Sequence, residues 1–181
     1  MNRGVHRLSG ELGTVQQVKS GGAPNVSFGL GYAYRPVKGF EVGAALRYFL
    51  TPAHEPRDAT AQPAAQPGEP SQAPARYVDP AFHDWFFGPT VRGFVTFGAA
   101  DRFELGLTLR AGILARSTKP GVCCAEVAVA PGLRVRIARS SAIELAPELA
   151  VGTTGADPNQ EDTPDFIYAR TAVWVSFVQT L

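Results

Sequence analysis

Phe103-Glu104-Leu105-Gly106-Leu107-Thr108-Leu109-Arg110-Ala111-Gly112-Ile113 is the stretch that decides the fold. Every second residue is apolar, and the residues between are Glu, Gly, Thr, Arg and Gly. A period of two is the signature of a strand with one greasy face and one polar face. The same alternation recurs elsewhere. Phe40, Val42, Ala44, Leu46 and Tyr48 stand against Glu41, Gly43, Ala45 and Arg47, and Ile143, Leu145, Leu149 and Val151 against Glu144, Ala146, Glu148 and Gly152. Near the C-terminus, Ile167, Ala169, Thr171, Val173, Val175 and Phe177 oppose Tyr168, Arg170, Trp174 and Ser176. Helical periodicity is nearly absent.

Working outward, runs bounded by Gly, Pro, Asp and Ser predict eight strands, at about 7–19, 25–34, 40–50, 84–97, 103–115, 123–137, 142–152 and 166–180. The connectors alternate in length. Arg35–Gly39, Gly98–Arg102 and Ala138–Ser141 are tight turns, whereas Thr51–His83 and Thr153–Asp165 are long. Thr51–His83 holds prolines 52, 56, 63, 67, 70, 74 and 80 among Ala and Gln, a composition that buries too little apolar surface to order itself. The expectation is one domain over residues 1–181, carrying a mobile Pro-rich loop at about 51–83.

Composition narrows the class. The 181 residues hold 17 Lys+Arg and 16 Asp+Glu, a formal net charge of +1, which supports no nucleic-acid surface. Charged residues are 18%, below the roughly 25% of soluble domains. No apolar run reaches the about 18 residues of a transmembrane helix, but a membrane-crossing strand needs only about 9–11. Met1–His6 has neither an apolar stretch nor a small-residue cleavage site and does not read as a signal peptide. That leaves a cytosolic protein, or a mature chain with an added initiator Met. Cys123 and Cys124 are adjacent, where a disulfide ring is strained, and His6, His54 and His83 lie far from them in sequence. The pair is read as structurally incidental, and no metal or cofactor is expected.

A chain alternating in this way can place its apolar face inside, as a soluble β-sandwich or lipocalin-like barrel does, or outside against lipid. Three features favour the second. In strands two to eight the apolar face carries no charge. The opposite face is mostly Gly, Ala, Ser and Thr between Glu41, Glu104, Glu126, Glu144, Glu148 and Arg47, Arg92, Arg110, Arg134, Arg136, Arg170, which suits an enclosed lumen; Glu11 joins it if strand one is in phase. Mid-strand cations are all Arg, the better partner in enclosed bidentate pairs, while Lys19, Lys38 and Lys119 fall at strand ends and connectors. Aromatic residues crowd the ends of the apolar face: Tyr32, Tyr34, Phe40, Phe97, Phe103 and Phe177 at one rim, Tyr48, Trp85 and Phe87 at the other.

On strand count, loop asymmetry and inverted polarity, with segments such as Gly29-Leu30-Gly31-Tyr32 and Glu41–Tyr48, the chain resembles small eight-stranded outer-membrane β-barrels of the OmpA and OmpX type. The resemblance implies an all-β, antiparallel, up-and-down transmembrane barrel in the bacterial outer membrane. Its partners would be the outer-membrane bilayer, lipopolysaccharide included, and a protein of the cell envelope. Such proteins usually end in an aromatic residue; this chain ends Val175-Ser176-Phe177-Val178-Gln179-Thr180-Leu181, with Leu in that place and Gln179 on the apolar face. Pro89, Pro131 and Pro147 fall inside strands, where each deletes a ladder donor and is best tolerated at a bulge or an edge.

Three functional classes follow: a structural or interaction barrel whose lumen is plugged by the Arg/Glu network, a small porin-like passive channel, and a lipid-modifying barrel enzyme. The last would use His83 with Asp84, or His54, as a general base. No nucleophile stands beside them in a matched motif, and a solvated loop pair is the simpler account. The first class, with no catalytic residues, is the expectation. Eight strands enclose little more than their own side chains, which favours the plug over the pore.

Overall fold

A computed structural model describes residues 4–17, 25–51, 82–116, 123–154 and 166–181. Eight strands run β1 Val5–Gln17, β2 Asn25–Val37, β3 Phe40–Thr51, β4 Phe82–Phe97, β5 Phe103–Arg116, β6 Cys123–Arg136, β7 Ser141–Thr154 and β8 Phe166–Thr180. Each pairs antiparallel with its sequence neighbour, and β1 pairs with β8 to close the barrel. The all-β barrel expected from the alternation is therefore the fold. Closure leaves no unpaired sheet edge, the condition for placing a sheet in lipid.

Several boundaries differ from the sequence reading. β1 begins at Val5 rather than at 7, and β4 begins at Phe82, so His83 is strand and not loop. β2 runs on through Arg35-Pro36 to Val37, with a register shift between Tyr34 and Val37. That bulge absorbs Pro36, and only Lys38-Gly39 is left as the turn, Gly39 supplying a φ of 89°. Of the Thr51–His83 loop reading, residues 52–81 lie outside the described residues, as do 155–165 of the Thr153–Asp165 connector and His54. Cys123 and Cys124 open β6, but their side chains also lie outside the description.

The intrastrand prolines need no bulge. The β6–β7 register is Val129↔Leu149 on one side of an interruption and Leu133↔Leu145 on the other, so Pro131 and Pro147 stand directly opposite each other. The ladders on their other sides continue through Leu107↔Pro131 and Pro147↔Val173. Two missing donors thus fall at one place, and the register resumes unshifted. Pro89 sits likewise in an interruption of the β4–β5 ladder, between Phe87↔Ile113 and Thr90↔Arg110. There Gly88 and Gly112 let the strands pinch, since a Cβ on either would strike the facing carbonyl of Ala111 or Phe87.

The outward and inward faces are inverted relative to a soluble protein. Leu105, Leu107, Leu109 and Ile113 are about half exposed on the outside, as are Leu30, Phe87, Val95 and Val175. Glu41, Arg47, Glu104, Glu126, Glu148 and Arg170 are buried inside. Among the described residues, no outward-facing strand position carries Asp, Glu, Lys or Arg. Aromatic side chains gather at both ends of this outer surface. Register aligns Phe28, Tyr48 and Trp85 towards the long connectors, with the rings of Tyr48 and Trp85 4.8 Å apart. Phe97 stacks on Phe103 at 5.4 Å near the tight turns.

Candidate functional site: the lumen

Strand alternation sends one side chain in every two into the barrel, and cross-strand register decides which of them meet. At the tight-turn end, Glu41 opposes Arg92, and Arg134 stands between Glu104 and Glu144. Odd strands bring Glu41, Glu104 and Glu144; Arg7, Arg35, Arg92 and Arg134 come from β1, β2, β4 and β6. Arg7 Nη1 donates to Glu41 Oε1 at 2.5 Å, and Arg35 Nη2 to the same oxygen at 2.7 Å. Arg134 Nη2 reaches Glu144 at 2.7 Å and its Nη1 reaches Glu104 at 3.0 Å. Arg92 lies 3.4 Å from both Glu104 and Glu144. The cluster spans the lumen rather than lining it.

A second cluster lies towards the long connectors. Arg47 holds Glu11 and Glu148 at 2.7 Å each. Arg110 also donates to Glu148. Arg170 grips Glu126 with two donors, Nε at 2.7 Å, and comes within 3.6 Å of Glu148. Glu148 is thus the hub of three guanidinium groups.

Beside this second cluster, on the side of the long connectors, part of the lumen is apolar, although Ser27 and Asp84 are buried there too. Val15, Phe49, Phe86, Leu114, Ala172 and Trp174 form a buried cluster facing inward from β1, β3, β4, β5 and β8. Trp174 is fully buried and packs against the backbone of Gly13, where a Cβ would come within 2.5 Å of the indole. The Arg47 guanidinium lies 3.7 Å from the Trp174 ring centroid, and Arg170 lies 4.3 Å from that of Phe49. These cation–π contacts bond the ionic cluster to the apolar cap beside it.

Sequence-chosen residues Glu41, Arg92, Glu104, Arg134 and Glu144 meet in the first cluster, and Arg47, Arg110, Glu126, Glu148 and Arg170 in the second. Arg136 belongs to neither. It stands at the turn rim and donates to the Ala100 carbonyl at 3.2 Å, an anchor for the Gly98–Arg102 turn. Arg7, Arg35 and the apolar cap were not singled out from the sequence. Arg7 begins a strand read as starting there, and Arg35 precedes a proline and looked like a turn. Inward Phe49, Phe86 and Trp174 interrupt a polar face, and each is flanked by apolar residues on both sides.

His83 and Asp84 are consecutive in β4 and so point to opposite faces. Asp84 is buried in the lumen, whereas His83 is on the outside, hydrogen-bonded to the Tyr48 hydroxyl and stacked on its ring. They do not form an acid–base pair. Among the described residues no group of His, Cys, Asp or Glu is arranged to hold a metal ion.

This geometry, apolar outside and ionic inside a closed eight-stranded barrel, defines the class of small transmembrane β-barrels. No family model and no curated protein sequence matches the chain. Among solved structures it is similar to Neisserial surface protein A, at a TM-score of 0.56 and 9% identity over 97% of this chain and 96% of that one. Ail of Yersinia pestis aligns at a TM-score of 0.48 and 11% identity over 98% and 97%. At these identities the likeness concerns the fold.

Proposed function

We propose that the protein is an integral barrel of the bacterial outer membrane with a structural or interaction role, its lumen closed rather than conducting. The carrying observation is the lumen itself: two ionic clusters fill its length, the second interleaved with an apolar cluster. The ion pairs would present fixed charges and no continuous wet path, and Phe49, Phe86 and Trp174 would oppose wetting at the end towards the long connectors. Surface for interaction is then left to the connectors and the two rims. A small cavity of about 70 Å³ between the ionic clusters favours slow solute passage. The enzymatic reading has less support, because the His83 and Asp84 side chains are separated by the barrel wall.

Purified protein in planar bilayers tests the plug. Little or only flickering conductance is expected, and stable open channels from the unmodified chain would move the function to passive transport. The membrane placement has its own test in a neighbouring pair of residues. Leu107→Arg puts a guanidinium on the lipid face, at a cost of about 2–4 kcal/mol near the bilayer centre. Thr108→Arg enters the lumen and should impair insertion less. Equal loss of refolding into lipid vesicles would show that the outer face is not against lipid.

A further inference from the structure

We infer that the cavity between the two ionic clusters is a binding site for a small monovalent inorganic anion of chloride size. Four arginines line it, Arg7, Arg92, Arg110 and Arg134, against three carboxylates, Glu11, Glu41 and Glu144. The excess is not peculiar to the choice of lining. The turn-side cluster sets Arg7, Arg35, Arg92 and Arg134 against Glu41, Glu104 and Glu144, whereas the loop-side cluster is balanced at Arg47, Arg110 and Arg170 against Glu11, Glu126 and Glu148. The turn-side cluster therefore carries one guanidinium more than it has carboxylates, Asp84 lying buried outside both clusters towards the long connectors, and a largely buried surplus of charge carries a desolvation cost.

Hydrogen bonding points the same way. Arg7 Nε, Arg92 Nη2 and Arg110 Nε are buried with no hydrogen-bond acceptor among the described residues, and Arg92 Nε has only its 3.4 Å ion contact with Glu144. Each belongs to a side chain at least nine-tenths buried that lines this cavity. The walls add only neutral hydroxyls, from Ser9, Thr90, Thr108 and Ser176. Several guanidinium donors facing one gap need acceptors, which water or an anion can supply, but only an anion also cancels the surplus charge. At about 70 Å³, against the roughly 10–15 Å³ that one water needs on the same measure, the gap has room for a halide with a few waters.

The site does not depend on what the barrel does in its membrane. The test is crystallisation from bromide, with bromide located by anomalous scattering, alongside thermal unfolding in detergent. Chloride or bromide would be compared with gluconate at constant ionic strength. A bromide peak among Arg7, Arg92 and Arg110 is expected, with a Tm that rises with halide concentration and not with gluconate. Arg92→Gln removes the surplus charge and should abolish the halide dependence. Glu144→Gln adds to the surplus and should tighten the apparent halide affinity by at least about tenfold, since one unit charge a few ångströms away at an effective dielectric of about 20 exceeds that. If Arg92→Gln does not fold, Glu144→Gln alone carries the test, because its effect has the opposite sign to a general loss of stability. Water in place of bromide overturns the proposal. So does a bromide peak without any halide-specific change in Tm, which would mean an adventitious ion only.

Discussion

The two halves of the lumen solve the same problem of buried charge differently. Towards the long connectors, three arginines and three glutamates balance, Glu148 is fully enclosed, and aromatic rings pack against Arg47 and Arg170. Towards the tight turns, four arginines share three glutamates, the partners are redundant, and Arg35 keeps 14% of its side chain exposed. The first half is the more deeply enclosed, and the second keeps solvent at its rim through Arg35. The difference follows from the desolvation cost of an ion, which rises steeply where water has no access. A guanidinium under an aromatic cap must therefore find its carboxylates among a few fixed neighbours. At a rim, several imperfect partners and solvent together do the same work.

Arg47 is where this contrast can be broken most severely. It is 1% exposed, bridges Glu11 to Glu148, and lies against the Trp174 ring. Arg47→Ala takes from Glu11 its nearest guanidinium and from Glu148 one of three, and the loss of one partner from a buried pair costs about 3–5 kcal/mol. Urea unfolding of detergent-refolded protein should show a loss of that size, with conductance still low because Phe86 and Trp174 remain. A loss below about 1 kcal/mol would mean that the loop-side cluster is as wet as the turn-side one.

The middle of the range belongs to the turn-side half. Arg35 donates to Glu41 and Glu104, but Arg7 and Arg134 donate to both carboxylates as well. Arg35→Ala should therefore cost no more than about 1 kcal/mol, the scale of a solvent-accessible pair. Under the same urea titration, an effect equal to that of Arg47→Ala would erase the distinction between the two halves.

What the sequence revealed and what it hid divide along the same line. Alternation in Phe103–Ile113 and its counterparts fixes which side chains enter the lumen, because the period of a strand leaves only two phases, and one phase carries every charge. The ring of Glu41, Glu104 and Glu144 was legible from strand starts alone, since each lies one to three residues past a tight turn. Arg35 was not legible, because it precedes Pro36 and read as the first residue of a turn, whereas the alternation of β2 runs on through it against Val5 and carries it inward. The aromatic cap escaped for a different reason. Phe49 and Phe86 continue apolar runs on both faces, Tyr48–Leu50 and Trp85–Phe87, and a doubly apolar stretch gives no sign that its inner half closes a lumen. Partner choice across the barrel, such as Arg47 with Glu148, is set by closure through β1 and β8 and is invisible to any local pattern.

The smallest expected effect lies outside both clusters, at the turn that carries Asp101. Its carboxylate accepts from the Thr96 hydroxyl at 3.0 Å and from Lys38 Nζ at 3.3 Å, and these two groups hold its pKa below the ordinary value of 3.8. A depressed carboxylate pKa favours the folded state above the unfolded pKa, and that contribution fades as pH falls through the lower folded value. Lys38 and Asp101 are both well exposed, so the salt-bridge part of this contribution is screened and small. Lys38→Gln should lower Tm slightly at neutral pH and at low salt. The difference from the unmodified protein should vanish below the aspartate range and in high salt. The comparison with the lumen is sharpest in the salt arm, because the Arg47 pairs are shielded from added ions and the Lys38 pair is not. If salt weakened Arg47→Ala and Lys38→Gln effects equally, mobile ions would have to reach both sites, and the loop-side cluster could not be dry.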